Sequence, residues 1–534
     1  MTGEPEIHPN SNLAQLKLAW LRLAPLMTRL KSGPIVEWIC LFAFVGLVSP
    51  TVINYAPYAL AQDESYYLHR MVCVNHAVYD FSLSRLDECL SSTHKGPIME
   101  VVNLPWGRAG GTERGIGLAF VSLALFIWIL VLATCLTCLR GGIPPGPLLL
   151  AGAAIYFTPF LRASGGAMMT DILLGWCVAL ALMLIPLEYN NPQKDLWSGI
   201  LRGLLWGLAF DIGMLSKVTF AFFLSAIFVA VVGIRERYSG EWPLRHAVAG
   251  CVLGAIPCIL IWYFYGLNFL RFALAAAWGR LAPVWGVPGM TAGGYLRRYF
   301  GHLGLSIIPL SLLLVLFVRG MIIDNQRRMG RLLPIGIILG YLGIAAMSKN
   351  RDPRFAIPVM IAMPIALAWT SPRKESAMKV GAAPVVAALF AVTLFSIPMA
   401  GKPETAPVRR AGELLRTLYQ GQPIWVVIAT DGPQFNIETL QLARQLGGDS
   451  LRPENVGTLV YDAINERTLD QGLRSIDASD YVLFLKPGSP PASDWAWSRV
   501  YARDYRAYCE KVGILMDAKI SPDVDVFKIR KAVP

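Results

Sequence analysis

IVEWICLFAFVGLVSPTVINYAPYAL, residues 35–60, is an apolar run long enough to cross a bilayer, and AQDESYY, residues 61–67, follows it directly. Asp63 and Glu64 are therefore adjacent acids at the mouth of a membrane span. Charge is costly to hold there and, where it is kept, serves proton transfer or cation binding. Tyr66 and Tyr67 add an aromatic binding surface beside the charge.

Outward from this stretch the whole chain fits a membrane. Its 534 residues are 54% hydrophobic and only 16% charged, and the mean hydropathy is +0.48. Such values belong to polytopic membrane proteins. Residues 401–534 hold 17 Lys and Arg against 17 Asp and Glu, so the net charge of +12 resides in residues 1–400, between apolar spans. That placement argues against a nucleic-acid partner and fits the loop bias that orients membrane helices.

Hydropathy predicts about eleven spans, at 36–58, 116–139, 146–161, 171–188, 197–214, 218–234, 247–266, 303–319, 332–347, 355–370 and 380–399. One set of loops carries Arg140, Lys194, Arg235, Arg237, Arg245, Arg319, Arg327, Arg328, Arg331, Arg373, Lys374 and Lys379, which marks it as cytoplasmic. Residues 1–34, with Lys17, Arg22, Arg29 and Lys31 among Leu and Trp, read as a basic amphipathic segment on the same side. The opposite face receives the long 59–115 loop, the 162–170 turn, Ser216-Lys217, and the loops 267–302 and 348–354.

The tail, 401–534, changes character. IWVVIAT, TLVYDAI, DYVLFLK and DVFKIR read as strands and ETLQLARQLGG as a helix. The expected fold class is an all-α polytopic membrane domain over 35–400, followed by a small extracytoplasmic α/β domain. DGP at 431–433, after the first strand, could form a ligand turn, but a plain surface turn is the favoured reading.

Nine cysteines are present. Cys40, Cys135, Cys138, Cys177, Cys251 and Cys258 lie in apolar segments and read as small hydrophobes. Cys135 and Cys138 form a CxxC inside a span, with no His nearby. Cys73 and Cys89 share one polar loop, where a disulfide is compatible with an oxidising compartment. No His, Cys and acid spacing makes a metal motif.

Most of the unusual residues gather in the outer loops. Asp63 and Glu64 come first, then His94, Lys95 and Pro97 in THKGPI. Thr170 and Asp171 open the fourth span, and Ser216 and Lys217 make a short turn. Arg280, Arg297, Arg298 and His302 follow, and SKNRDPRF supplies Lys349, Arg351, Asp352 and Arg354. A carboxylate can take the proton of an attacking hydroxyl. Lys and Arg can hold a phosphate and the charge that develops as it leaves. The mixture suits transfer of a group off a phosphorylated lipid, since nucleotide sugars are not available outside the cytoplasm. Plainer readings exist for each residue. Glu64 can pair with a loop cation, Asp171 can cap its helix, and Lys217 and Arg354 can snorkel to headgroups. His94 and His302 read as ordinary loop residues.

The order of these short motifs resembles the GT-C superfamily of polytopic glycosyltransferases, in particular the protein O-mannosyltransferase and lipid A aminoarabinose transferase branch. The matching residues are DESYY (63–67), HKGP (94–97), TDILL (170–174), Ser216-Lys217 and RFAIP (354–358). The resemblance covers about residues 35–370. It implies horizontal helices in the first outer loop and an outer C-terminal domain. It also implies Asp63 as general base on the acceptor, with Asp171 and Glu64 as further catalytic acids. Lys95 and Arg354, joined by Lys217 and Arg351, would hold the donor phosphate, and Tyr66, Tyr67 and His94 the acceptor or sugar. The donor would be a sugar on a polyprenyl phosphate, and the acceptor a glycolipid, polysaccharide or protein outside the cytoplasm. A bacterial inner membrane is the expected location. A divalent cation beside Asp63 or Glu64 stays open. Two departures stand out: Gly96-Pro97 replaces the usual double proline, and the stretch holding Cys73 and Cys89 is long. The rival reading, a transporter or flippase of a lipid-linked sugar, calls for paired interrupted spans and acids at mid-membrane. The sequence shows neither.

Overall fold

The computed structural model describes residues 34–52, 62–91, 95–106, 112–165, 170–190, 196–223, 244–279, 282, 289–323, 328–369, 405–419, 421–432, 434–447, 455–459, 468–486 and 501–531. The basic segment up to residue 33, His94, Arg280 and the span 380–399 lie outside the described residues, as does 218–234 beyond Phe223. Helices occupy every other expected span. They are α1 (Pro34–Val52), α5 (Glu113–Arg140), α6 (Pro145–Tyr156), α8 (Thr170–Asn190), α9 (Leu196–Ser216), α10 (Leu244–Ala277), α12 (Ile307–Ile323), α13 (Arg328–Met347) and α14 (Ile357–Leu367). Four helical stretches, 114–140, 170–187, 251–277 and 292–323, are long and apolar enough to cross a membrane. The other apolar helices are shorter, so the expected count of eleven is not reached among the described residues. The protein is an integral membrane protein of largely helical build.

Local chemistry fixes the helix ends. Thr112 caps α5 by accepting from Gly115 N at 3.2 Å. At about 1.5 Å per residue its 28 residues rise roughly 42 Å. The helix closes at Gly141-Gly142, and Gly142 sits at φ +81°, a left-handed conformation that suits glycine. Pro145 then opens α6, where a missing N–H costs nothing.

Helix α8 is the centre of the bundle. Its side chains from Thr170 to Leu187 are all buried, and it packs against α5, α9 and α14. Cys177 donates to Ala209 O at 2.9 Å, tying α8 to α9. Helices α9 and α10 approach backbone to backbone, since a Cβ on Gly207 would lie 2.3 Å from Cys251 O. Small residues allow this tight packing where lipid supplies no hydrophobic drive. Asp211 on α9 accepts the N–H of Cys258 at 2.6 Å, beside Pro257, which interrupts the α10 ladder. Cys135 and Cys138 are buried free thiols.

The first loop is a folded unit. It contains α2 (Gln62–Tyr79), α3 (Leu83–Ser91) and α4 (Ile98–Asn103). A disulfide joins Cys73 on α2 to Cys89 on α3. A short helix, α7 (Pro159–Ser164), follows α6, and a further amphipathic helix, α11 (Ala292–Leu303), leads into α12 through a short 3-10 turn.

Beyond residue 404 come α15 (Ala406–Leu418), β1 (Trp425–Thr430), α16 (Ile437–Leu446), β2 (Asn455–Thr458), α17 (Leu469–Ala478), β3 (Tyr481–Leu485), α18 (Ala502–Val512), β4 (Gly513–Leu515) and β5 (Val524–Ile529). The sheet order is β2-β1-β3-β5-β4. Strand β1 pairs parallel with β2 and β3, and β5 runs antiparallel to β3 and β4. Alternate residues serve opposite faces, as a pleated strand requires. Val426, Ile428, Leu483 and Val526 pack with Leu415 and Leu440. Val427, Val482 and Phe527 pack with Ile476, Tyr505 and Cys509. The second strand ends at Thr458, the first residue of TLVYDAI, and residues 460–464 of that stretch lie outside the described residues. Gly457 lets it lie close to the Trp425 ring.

Candidate active site

Residues far apart in sequence meet at one end of the bundle. Asp63 and Glu64 occupy the first turn of α2, and their side chains lie outside the described residues. Position 67 follows 63 by one helical turn, which puts Tyr67 on the same face as Asp63. The Tyr67 hydroxyl is 3.4 Å from Thr170 Oγ1 at the start of α8. Lys95 Nζ stands 4.9 Å from the ring centroids of both Tyr66 and Tyr67, within cation–π range.

Gly96 brings the Lys95 turn onto the next loop. A Cβ there would meet Leu215 O at 1.9 Å, so only glycine lets the two backbones touch. Lys217, two residues beyond Leu215 and just past the end of α9, forms an ion pair with Asp171. The Asp171 side chain is 5% exposed and that of Lys217 27%, so the acid is fully enclosed and the cation opens toward solvent or headgroups. Lys217 Nζ also lies 5.0 Å over the Phe355 ring. Tyr295 and Tyr341 lie within electrostatic range of Asp171. The structure thus gathers Tyr66, Tyr67, Lys95, Asp171 and Lys217 into one cluster.

Arg354 reaches the same cluster through its neighbour Phe355. Its Nε donates to Asp352 Oδ2 at 2.8 Å, and its backbone N–H donates to Oδ1 at 2.8 Å. Arg351 has a structural task. Its Nε donates to Ala346 O at 3.0 Å and Nη1 to Met290 O, which ties the 348–354 loop to α13 and to the entry of α11. Arg297 and Arg298 are exposed on α11. Arg298 lines a small cleft with Tyr295, Tyr299, His302, Pro353 and Ala356, next to Arg354. His302 stacks on Phe160 with centroids 4.5 Å apart, which fits packing better than ligation. Among the described residues no three His, Cys, Asp or Glu side chains could hold a metal ion.

Three features escape sequence reasoning. The first is Arg70, buried beneath Tyr66 at 5.7 Å. Its Nε donates to Glu100 Oε1 at 2.8 Å, and Nη2 donates to Cys89 O. Burial works against its charge, but Glu100 and Tyr66 outweigh that, and its pKa is raised above the ordinary value. Arg70 follows Asp63 by seven residues, and that spacing was the available signal. The second is the packing of Phe355 under Lys217, which the RFAIP motif names without saying what meets the ring. The third corrects an expectation: Asp431, read as part of a surface turn, is only 2% exposed. Among the described residues, neither carboxylate oxygen has a hydrogen-bond partner. Burial pushes its pKa up to about 7. It sits just past the carboxyl end of β1, between two parallel neighbours, where the strand order of the sheet reverses.

No family model matches the chain, and no curated protein matches it. Solved structures do, and among them are those of ArnT from Cupriavidus metallidurans, with which the chain shares a largely helical fold; this agrees with the resemblance at the level of fold. In the apo state the TM-score is 0.51 at 12% identity, over 96% of this chain and 98% of that one. Bound to undecaprenyl phosphate, the TM-score is 0.51 at 13% identity, over 92% and 97%.

Proposed function

We propose that the protein is an inverting glycosyltransferase of a bacterial inner membrane. It takes a sugar from a polyprenyl-phosphate carrier and attaches it to an acceptor outside the cytoplasm. The single observation that carries the reading is the meeting of Lys95, Asp171 and Lys217 beside the helix that bears Asp63 and Glu64. Its support is the fold shared with a protein crystallised with undecaprenyl phosphate.

In this mechanism the Asp63 carboxylate takes the proton of the acceptor hydroxyl. The acceptor oxygen attacks the anomeric carbon from the face opposite the phosphate. The bond from that carbon to the phosphate oxygen breaks, and the polyprenyl phosphate leaves with the electron pair. Lys95 and Arg354 neutralise the growing charge on phosphate. Asp171 holds Lys217 at the edge of the same site, and Arg351 braces the loop that carries Arg354. Tyr66, Tyr67 and His94 offer surfaces for a sugar ring, and Glu64 stands beside the base. With the N-terminus in the cytoplasm, domain 35–400 is the catalytic unit, and 401–534 lies on the acceptor side.

The test uses membranes containing the full chain and a panel of radiolabelled polyprenyl-phosphate sugars. Transfer of label to an acceptor, lost in Asp63→Asn with membrane insertion intact, is expected. Label that moves across the bilayer without transfer would favour a flippase. Full transfer by Asp63→Asn would remove the assigned base.

A further inference from the structure

Helix α2 carries the acid pair in its first turn, and the residues that follow are held by the α/β unit. Ser65 Oγ lies 3.3 Å from Thr439 Oγ1, across 374 positions of sequence. Thr439 Oγ1 donates to Asn436 Oδ1 at 3.2 Å, and the Thr439 N–H donates to the same oxygen at 2.9 Å. Asn436 Nδ2 in turn donates to Gly432 O at 3.2 Å, and Gly432 N–H closes the turn onto Phe435 O at 2.8 Å. One turn further along α2, His69 Nδ1 is 2.9 Å from Glu438 Oε2.

The direction of the chain of hydrogen bonds follows from donor counting. An amide oxygen only accepts, so the Thr439 proton goes to Asn436. The Thr439 oxygen is left to accept from Ser65. Ser65, Asn436 and Thr439 are completely buried. A buried hydroxyl without a partner costs free energy, so one register of α2 against α16 satisfies the set and its neighbours do not. A slide of α2 by one residue would strand Ser65 and Thr439 together and part His69 from Glu438. Apolar side chains would bury the same interface without that selectivity.

We infer that the α/β unit is the mount of the acid pair, with Thr439, Asn436 and Glu438 as positioning residues that set the first turns of α2 through Ser65 and His69. The inference rests on the proposed transferase reading for the role of Asp63, and on contact geometry alone for the mount. Asp63 and Glu64 immediately precede Ser65 in the helix, so the point of attachment and the point of chemistry are adjacent. A base displaced by about 1 Å loses much of its rate advantage.

The test compares Thr439→Val, which keeps shape and loses the hydroxyl, with Thr439→Ser, which keeps the hydroxyl. Both are made in the full chain. The readout is backbone hydrogen exchange at residues 66–70. Loss of one buried hydrogen bond should speed exchange there about fivefold in the valine variant. Strands β1 and β3 should be unchanged, and the serine variant should match the parent. Glu438→Ala should loosen the same amides from the His69 side. In the transfer assay, Thr439→Val should lower kcat and leave the donor KM unchanged. Parental exchange in both Thr439→Val and Glu438→Ala would overturn the inference. So would equal loosening of β1 and β3, which would mark a general structural role. If the parent transfers no sugar, the exchange data still decide the mount, and the transferase reading fails alone.

Discussion

The backbone of Gly96 rests on the carbonyl of Leu215, with room for no side chain between them. This contact joins the turn that carries Lys95 to the turn that carries Lys217. Gly96→Ala should force the turns apart and destabilise the protein by about 1–3 kcal/mol, the usual cost of overpacking. Thermal unfolding in detergent would show it. A parental melting temperature would mean that the contact is loose.

Lys217 neutralises the buried carboxylate of Asp171. Lys217→Ala should cost roughly 3 kcal/mol, because it leaves Asp171 charged and enclosed. Adding Asp171→Asn to Lys217→Ala should recover part of that loss. A double-mutant cycle measures the coupling. A coupling below about 1 kcal/mol, as for surface pairs, would contradict the buried geometry.

The disulfide from Cys73 to Cys89 spans 16 positions and closes a short loop around α2 and α3. Its removal by Cys73→Ser with Cys89→Ser should lower stability by about 3 kcal/mol on loop-entropy grounds. Dithiothreitol should reproduce the shift in the parent and do nothing to the variant. Identical melting of oxidised and reduced parent would contradict this.

Asp431 predicts a pH dependence of known sign. In the fold its carboxyl stays protonated until about pH 7, against an ordinary value of 3.8. The unfolded chain therefore loses this proton first, and stability falls as pH rises from about 4 to about 7, then levels off. The effect is on the order of 2–4 kcal/mol. Asp431→Asn should flatten the profile and be more stable than the parent at pH 8. Superimposable melting curves for the two proteins from pH 4.5 to 8 would remove the buried acid from the account.

Much of this was legible in the sequence. Apolar runs mark the membrane helices because burial in lipid demands them, and the motif order marks the loops that meet around Lys95 and Asp171. The unbroken apolar runs in IWVVIAT and DYVLFLK mark β1 and β3, strands buried on both faces. What escaped is tertiary. Arg70 and Glu100 are 30 residues apart, and nothing local says that they pair under Tyr66. The docking of α2 on α16 joins segments 374 positions apart. Asp431 looked exposed because Asp-Gly-Pro favours turns, and turn chemistry says nothing about what packs over the turn.

Strand β5 lies in the interior of the sheet, between β3 and β4, yet it follows every membrane helix in the sequence. Insertion of the bundle therefore precedes completion of the sheet during synthesis. A chain stopped before residue 524 would present an open edge on β3, a template for pairing with another unfinished copy. Late truncations should accordingly be removed as aggregates rather than persist as membrane-embedded fragments.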